Sequence, residues 1–284
     1  MERKVCYVIN FYFGDRRCQI ERFKFDKLCY LKSQIETLQK YRHSLSKIIF
    51  SFNVDIEHYK ILSDAINIIP KRIQNTDVEI NVRENYGMSY AAFSEIFVKY
   101  TNEYDYYIFN EDDYVIVQDD FDNYLIKKYE SLPNCGYLCG LVRETAHFGV
   151  NRHAGMSSGI CGYKVLKEIF DKYGELPHSK NNDYIDNEKN GQTNQTAAIK
   201  KLGYEIYDIR EEYRMCFWTA RDSVTDPIDF PQIIHIYFMW HDKDFFLPAK
   251  IYFNETYRWV HKINKEFLRM ECDYNSEKYY LYEK

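Results

Sequence analysis

Tyr104-Asp105-Tyr106-Tyr107-Ile108-Phe109-Asn110-Glu111-Asp112-Asp113 is a run of β-favouring residues that stops at three consecutive acids. Tyr106 to Phe109 lacks helical periodicity, which predicts a short buried strand. Adjacent carboxylates repel one another, and a divalent cation or cationic partner among them relieves the repulsion. Oxygen-only donors favour a hard ion, Mg2+ or Mn2+. At the carboxyl edge of a sheet such an ion is placed to grip a phosphate. The plainer reading is an acidic turn before a solvated hairpin, which needs no ligand.

Upstream of this strand the pattern alternates. Lys4 to Phe13 reads as a first strand, closed by Gly14-Asp15. Leu28, Leu31, Ile35 and Leu38 recur at helical spacing and predict a helix over roughly 26–43. Lys47 to Val54 is a second buried strand ending at Asp55. A short helix from about Glu57 to Asn67 follows, and Pro70 closes it. Asp77 to Val82 is a third strand that runs into Arg83-Glu84-Asn85-Tyr86-Gly87, and Phe93, Ile96, Phe97 and Tyr100 mark one face of the next helix. Alternation of this kind predicts an α/β fold, a parallel sheet with helices on its faces. Right-handed crossovers bring the four carboxyl ends to one edge. That edge gathers Phe11–Asp15, Asn53–Asp55, Arg83–Gly87 and Glu111–Asp113, where open α/β sheets bind ligands.

Downstream, a helix begins at Phe121 and ends before Pro133, and Gly136 to Val142 reads as another strand. His147 to Gly162 is polar and Gly-containing and reads as a turn into a helix carrying Val165, Leu166, Ile169, Phe170 and Tyr173. Pro177 to Gly191, rich in Asn and Asp, reads as a mobile loop. Thr193 to Leu202 is a helix capped by Gly203, with a strand from Tyr204 to Ile209. From Met215 the texture changes: Ile233 to Trp240 is apolar and β-prone, and Val260, Ile263, Phe267 and Met270 define a last helix. No linker forces a boundary, so one domain over 1–284 is expected.

Composition sets the outer limits. The net charge of −5 argues against broad nucleic-acid binding, which needs a concentrated positive surface. The eight Cys form no CxxC pair, and Cys135 and Cys139 have the wrong spacing for a zinc knuckle. The start is too short for a signal peptide, and no stretch reaches the ~20 apolar residues of a membrane span. These features predict a soluble, cytoplasmic protein with reduced thiols, and leave peripheral association with a membrane open. The 28 Tyr and 19 Phe reflect base composition or, on the sharper reading, a sugar-binding surface.

Four stretches together resemble the GT-A glycosyltransferases, enzymes that use nucleotide sugars, and within them the large inverting family containing chitin, cellulose and polysaccharide-assembly enzymes. Arg83-Glu-Asn85-Tyr-Gly87-Met-Ser89-Tyr-Ala-Ala92 is similar to that family's Asn-x-Gly-x-x-x-Ala stretch. Tyr106 to Asp113 is similar to its strand and DxD motif. Ser157-Ser-Gly-Ile-Cys-Gly-Tyr163 is similar to its Gly-rich acceptor-side turn, and Ala197 to Tyr204 to its late helix. The resemblance spans about 4–210. It implies a Rossmann-like, mixed but mostly parallel sheet with helices on both faces. Residues 1–113 would be the nucleotide-binding half, 114–214 the acceptor-side half and 215–284 an extension.

The resemblance also implies roles. Asp113 would ligate Mn2+ or Mg2+, and Glu111 or Asp112 would face the metal or the ribose. Phe11, Tyr12 and Asp55 would hold the base of a nucleoside diphosphate sugar, and Arg83 would add a positive contact; a surface salt bridge to Glu84 or Glu79 is the rival reading of Arg83. Ser157, Ser158 and Gly159 would frame the sugar or a glycan or lipid-linked glycan acceptor. A C-terminal His, with His241 preferred to His235, would reach the metal. The departure lies at the catalytic base. The place of the family's acidic pair reads Asn190-Gly-Gln-Thr-Asn-Gln195, and the nearest acids are Asp183, Asp186 and Glu188. Stereochemistry therefore stays open. The rivals are a sugar-phosphate nucleotidyltransferase, although Phe11 to Arg17 holds only one Gly, and a non-catalytic glycan-binding protein.

Overall fold

The computed structural model describes residues 3–13, 28–112, 114–116, 119–139, 142–143, 148–156 and 158–208, with the strand backbones at 233–235, 272–273 and 278–279. Asp113, Ser157, His241 and the helix expected around Val260 lie outside the described residues.

The first half follows the alternation of the sequence. Its elements are β1 (Val5–Tyr12), α1 (Cys29–Lys40), β2 (Lys47–Val54), a 3-10 turn (Ile56–His58), α2 (Tyr59–Ile68), β3 (Arg72–Ile73), β4 (Thr76–Glu84), α3 (Met88–Lys99) and β5 (Tyr106–Glu111). The second half holds β6 (Tyr114–Ile116), α4 (Phe121–Ser131), β7 (Cys135–Cys139), β8 (Val142–Arg143), β9 (His153–Ala154), β10 (Ser158–Gly162) and α5 (Tyr163–Tyr173). It continues through α6 (Tyr184–Asn187), a π-helical turn (Glu188–Thr193), α7 (Asn194–Lys201) and β11 (Glu205–Asp208).

Eight strands form one sheet in the order β11-β7-β10-β5-β1-β2-β4-β3. β1 runs parallel to β2 and β5, β2 to β4, and β7 to β11, whereas β10 is antiparallel to both β5 and β7 and β3 to β4. This is the expected α/β architecture, Rossmann-like, mixed and mostly parallel. Side chains alternate between faces along each strand, which produces two cores. Val5, Tyr7, Ile9 and Phe11 pack with Leu31, Leu38, Phe121 and Leu125 on one face. Cys6 and Val8 pack with Phe93, Phe97, Val165, Ile169 and Ile199 on the other. Helices α1 and α4 thus cover one face, and α3, α5 and α7 the opposite one.

The strand order locates the site. From β1 the chain steps outward through β2 to β4, then returns to the far side of β1 for β5. That reversal opens a crevice between the carboxyl ends of β1 and β5, the switch point at which open α/β sheets take ligands.

Two sequence expectations change. The stretch around Ser158, Gly159 and Gly162 is a strand in mid-sheet, not a turn. A Cβ on Gly159 would lie 2.6 Å from the Tyr137 ring and 2.7 Å from the Leu138 carbonyl oxygen, so the glycine admits a neighbouring strand and its aromatic ring. The expected loop over 177–191 is irregular only through 183; from Tyr184 it folds into α6 and the π-helical turn, continuous with α7.

Candidate functional site

The four parallel strand ends are joined by a chain of hydrogen bonds centred on Tyr12. Its backbone N–H donates to Asp112 Oδ2 (3.4 Å), and its hydroxyl donates to Asp55 Oδ2 (3.0 Å). Asn85 Nδ2 donates to both Asp55 oxygens, each at 3.1 Å. Asp112, Tyr12, Asp55 and Asn85 therefore link the ends of β5, β1, β2 and β4, a span of roughly 14 Å at three strand spacings. Phe11 takes no part. Alternation turns it into the core, where its ring stacks on Phe52 (5.0 Å between centroids) and meets Phe50 edge-on (5.5 Å). The expected base contact from its side chain is corrected accordingly.

At the end of β5 the groups are mostly oxygen. The partly exposed Glu111 accepts the Ser89 hydroxyl at 2.7 Å, from the first turn of α3. Asp112 is buried; its N–H donates to the Asn10 carbonyl (3.0 Å), and its carbonyl accepts from Gln34 Nε2 (2.8 Å). Asn10, paired with Glu111 across the strands, keeps Oδ1 buried without a hydrogen-bond partner. Ser158 opens β10 opposite Asn110, so it reaches the same edge. Asn110 Nδ2 donates to the Tyr7 hydroxyl (2.8 Å), while burial raises the Tyr7 phenol far above its ordinary pKa. Carboxylates plus an orphaned amide oxygen form a donor set suited to a hard divalent ion.

Arg83 belongs to the scaffold of this edge and not to a nucleotide contact. It is buried, and its guanidinium donates through Nε (2.9 Å) and Nη2 (3.0 Å) to Glu95 on α3. Its Nη1 donates to Asn53 Oδ1 (2.7 Å) and to the Tyr86 carbonyl (2.9 Å). Its plane lies over the Tyr86 ring at 4.3 Å, and the Tyr86 hydroxyl also donates to Glu95 (2.6 Å). The rival salt bridge to Glu84 or Glu79 does not form, and the guanidinium expected to face the nucleotide is taken up by Glu95, Asn53 and the Tyr86 carbonyl. The arginine instead fixes the turn carrying Asn85.

The three candidate bases sit on α6 and the turn after it, next to Asn85–Gly87. The Gly87 N–H donates to the Asn181 carbonyl (3.0 Å), and Asn182 Nδ2 donates to the Asn85 carbonyl. Gly87 has φ +61°, and a Cβ there would lie 2.4 Å from the Ser179 carbonyl oxygen. Gly87→Ala is therefore expected to cost about 2 kcal/mol, read as a lowered urea midpoint at unchanged slope. Asp183 caps α6, accepting the Asp186 N–H at 2.9 Å. Asp186 accepts from Asn181 Nδ2 (2.6 Å), and Glu188 accepts the Tyr184 hydroxyl (2.8 Å). Of the three, only Asp186 lines the polar pocket of about 540 Å3 formed with Tyr173, His178, Asn181, Asn190 and Asn194.

No family profile and no curated protein matches the chain. Among solved structures, the chain is similar to a cytidylyltransferase from Leptospira borgpetersenii, with 12% identity over 74% of this chain and 77% of that one and a TM-score of 0.47. It is also similar to the mannosyltransferase PcManGT from Pyrobaculum calidifontis in complex with GDP-Man and Mn2+, with 10% identity over 74% and 56% and a TM-score of 0.42. A third is the glycosyltransferase GlyE of Streptococcus pneumoniae, with 12% identity over 93% and 66% and a TM-score of 0.41. The functional reading rests on the strand ends themselves. Among the described residues, no helix is long and apolar enough to cross a membrane.

The sequence did not single out Ser89, Gln34 or the tie between Tyr12, Asp55 and Asn85. Ser89 had a signal: it follows Gly87 at the start of a helix whose first turn must face the strand ends. Gln34 had none, because its partner is a backbone carbonyl 78 residues away.

Proposed function

We propose that the chain is a metal-dependent glycosyltransferase, moving a sugar from a nucleoside diphosphate sugar to a glycan or lipid-linked glycan acceptor. The observation that supports this is the polar chain from Asp112 through Tyr12 and Asp55 to Asn85 across the switch point. Asp55, a carboxylate held by two donors, offers an acceptor for a ring N–H of a nucleobase. Tyr12 spans from there to the acidic end, and the diphosphate lies against Glu111-Asp112-Asp113. Glu111 and Asp113 hold Mn2+ or Mg2+, with His241 as a further ligand. A bound metal neutralises charge that develops on the diphosphate leaving group.

Ser158, where β10 begins, flanks the sugar, while Gly159 lies deeper in the sheet against Tyr137. On the acceptor side Asp186 is the base of choice, since Asp183 caps a helix and Glu188 holds Tyr184. An acceptor hydroxyl entering the pocket meets Asp186, whose carboxylate is oriented by Asn181.

A thermal-shift panel of UDP-glucose, UDP-N-acetylglucosamine, GDP-mannose and dTDP-glucose, with and without Mn2+, tests the reading. A ligand at 100 times its Kd adds about 2.7 kcal/mol of apparent stability, a rise of roughly 5–10 °C. The shift is expected to depend on Mn2+. If no sugar nucleotide stabilises the protein or is turned over, the proposal fails. Pyrophosphate release from a nucleoside triphosphate and a sugar phosphate would instead make it a nucleotidyltransferase.

A further inference from the structure

We infer that Asp55, Glu57 and His58 form a second cation site, for a borderline transition ion such as Zn2+, at the Asn85 end of the crevice. The ligating atoms of all three lie within 4.8 Å of one another. The 3-10 turn after β2 brings them together, closed by the His58 N–H donating to the Asp55 carbonyl at 2.9 Å. Three protein ligands leave a fourth position open, the usual pattern of a reactive or exchangeable zinc site.

His58 carries the inference. The residue is 9% exposed, and its Nδ1 is buried with no hydrogen-bond partner. That nitrogen faces Asp55 Oδ2 at 3.8 Å, too far for a hydrogen bond. Two atoms bound to one Zn2+ at ordinary bond lengths lie roughly 3–3.5 Å apart, so a shift of a few tenths of an ångström brings the His58 and Asp55 pair to that separation. Glu57 is exposed and needs only a side-chain rotation.

The surroundings supply the outer layer that such sites have. The Tyr12 hydroxyl and Asn85 Nδ2 orient the Asp55 carboxylate, and the Tyr12 ring meets the His58 ring edge-on at 6.2 Å. One imidazole and two carboxylates suit Zn2+, an ion of borderline softness. Asp55 is also the proposed base acceptor, so an ion there excludes the nucleobase. This last consequence alone rests on the glycosyltransferase reading.

Calorimetric titration of the metal-free protein with Zn2+, without nucleotide, is the test. Wild type is expected to show a site that Glu57→Gln and His58→Gln each weaken at least tenfold, while Asp112→Asn leaves it intact. Co2+ in the same site is expected to give a ligand-field spectrum without a thiolate charge-transfer band, which excludes the cysteines. Equal Zn2+ binding by wild type, Glu57→Gln and His58→Gln, or no binding by wild type, overturns the inference. In a further arm, Zn2+ is expected to weaken Mn2+-dependent UDP or GDP binding at least tenfold in wild type and to leave His58→Gln unaffected. An unchanged nucleotide affinity in Zn2+-loaded wild type overturns the exclusion of the nucleobase, and with it Asp55 as the base acceptor, while the Zn2+ titration decides the site itself. Absence of any nucleotide binding, with the Zn2+ site intact, counts against the proposed function only.

Discussion

Asp113→Ala is expected to lower turnover of a sugar nucleotide by on the order of 10^3 while leaving the metal-free protein as stable as wild type. The neighbouring acids cannot replace it: Glu111 is already the other proposed ligand, and Asp112 is buried with one oxygen toward the Tyr12 N–H. A metal held at the end of β5 would supply several kcal/mol of charge stabilisation to a departing diphosphate, and about 1.4 kcal/mol corresponds to each tenfold in rate. Removing one of three adjacent negative charges relieves repulsion in the metal-free state, so stability is not lost along with activity. The measurement is a turnover assay beside paired melting curves with and without Mn2+. Full activity in the alanine variant would remove the metal from the proposed function.

Arg83→Met is expected to destabilise the fold by about 3 kcal/mol and to lower the midpoint by roughly 6–12 °C. The methionine occupies similar space but leaves Asn53 Oδ1 and the Tyr86 carbonyl without the arginine donor, and Glu95 with only the Tyr86 hydroxyl. Arg83 is almost wholly buried, whereas the Glu95 side chain is 38% exposed, so water screens one side of the pair and the cost falls short of a fully enclosed one. The loss also depends on pH. Burial works to raise the Glu95 pKa, but the Arg83 and Tyr86 hydrogen bonds and the arginine's charge outweigh it and leave the pKa below 4.5. A depressed folded-state pKa means that the contribution is fully present above the ordinary glutamate range. It disappears as pH falls through the lowered value. The gap between wild type and Arg83→Met in urea denaturation is therefore expected to be widest at neutral pH and to narrow below about pH 4.5. A gap constant from pH 7 to 3 would mean that packing, and not the ion pair, carries the effect.

The sequence showed the strands that are apolar throughout and hid those that are not. β1, β2 and β5 are dense runs of Ile, Val, Tyr and Phe, and buried parallel strands have that appearance. β10 reads Ser158-Gly-Ile-Cys-Gly162, and its glycines signal a turn until the Tyr137 ring beside Gly159 is seen. Tyr12 and Asp55 were legible because strand ends gather at one edge, but their bond depends on the strand order, which periodicity does not contain. Arg83 was misread because an arginine in sequence looks exposed, and its burial depends on Glu95 a helix away. The 177–191 stretch looked like a loop because it is rich in Asn and Asp. Asp183 and Asp186, three apart, nevertheless had the spacing of a capped helix start.

The position of β10 bears on the order in which the sheet assembles. The four parallel strands of the first half are complete by Glu111, although β1 must wait for a partner about a hundred residues later. Among the described residues β7 pairs with β10 and β11, both made afterwards. Pairings of such long range are slow to form, since the entropy of closing the intervening chain is lost before any contact repays it. During synthesis the first half can close early, with the β5 flank open as an unpaired edge until β10 emerges. A chain halted before Ser158 would therefore expose a sticky strand, and β10 acts as the keystone that joins two otherwise separate half-sheets.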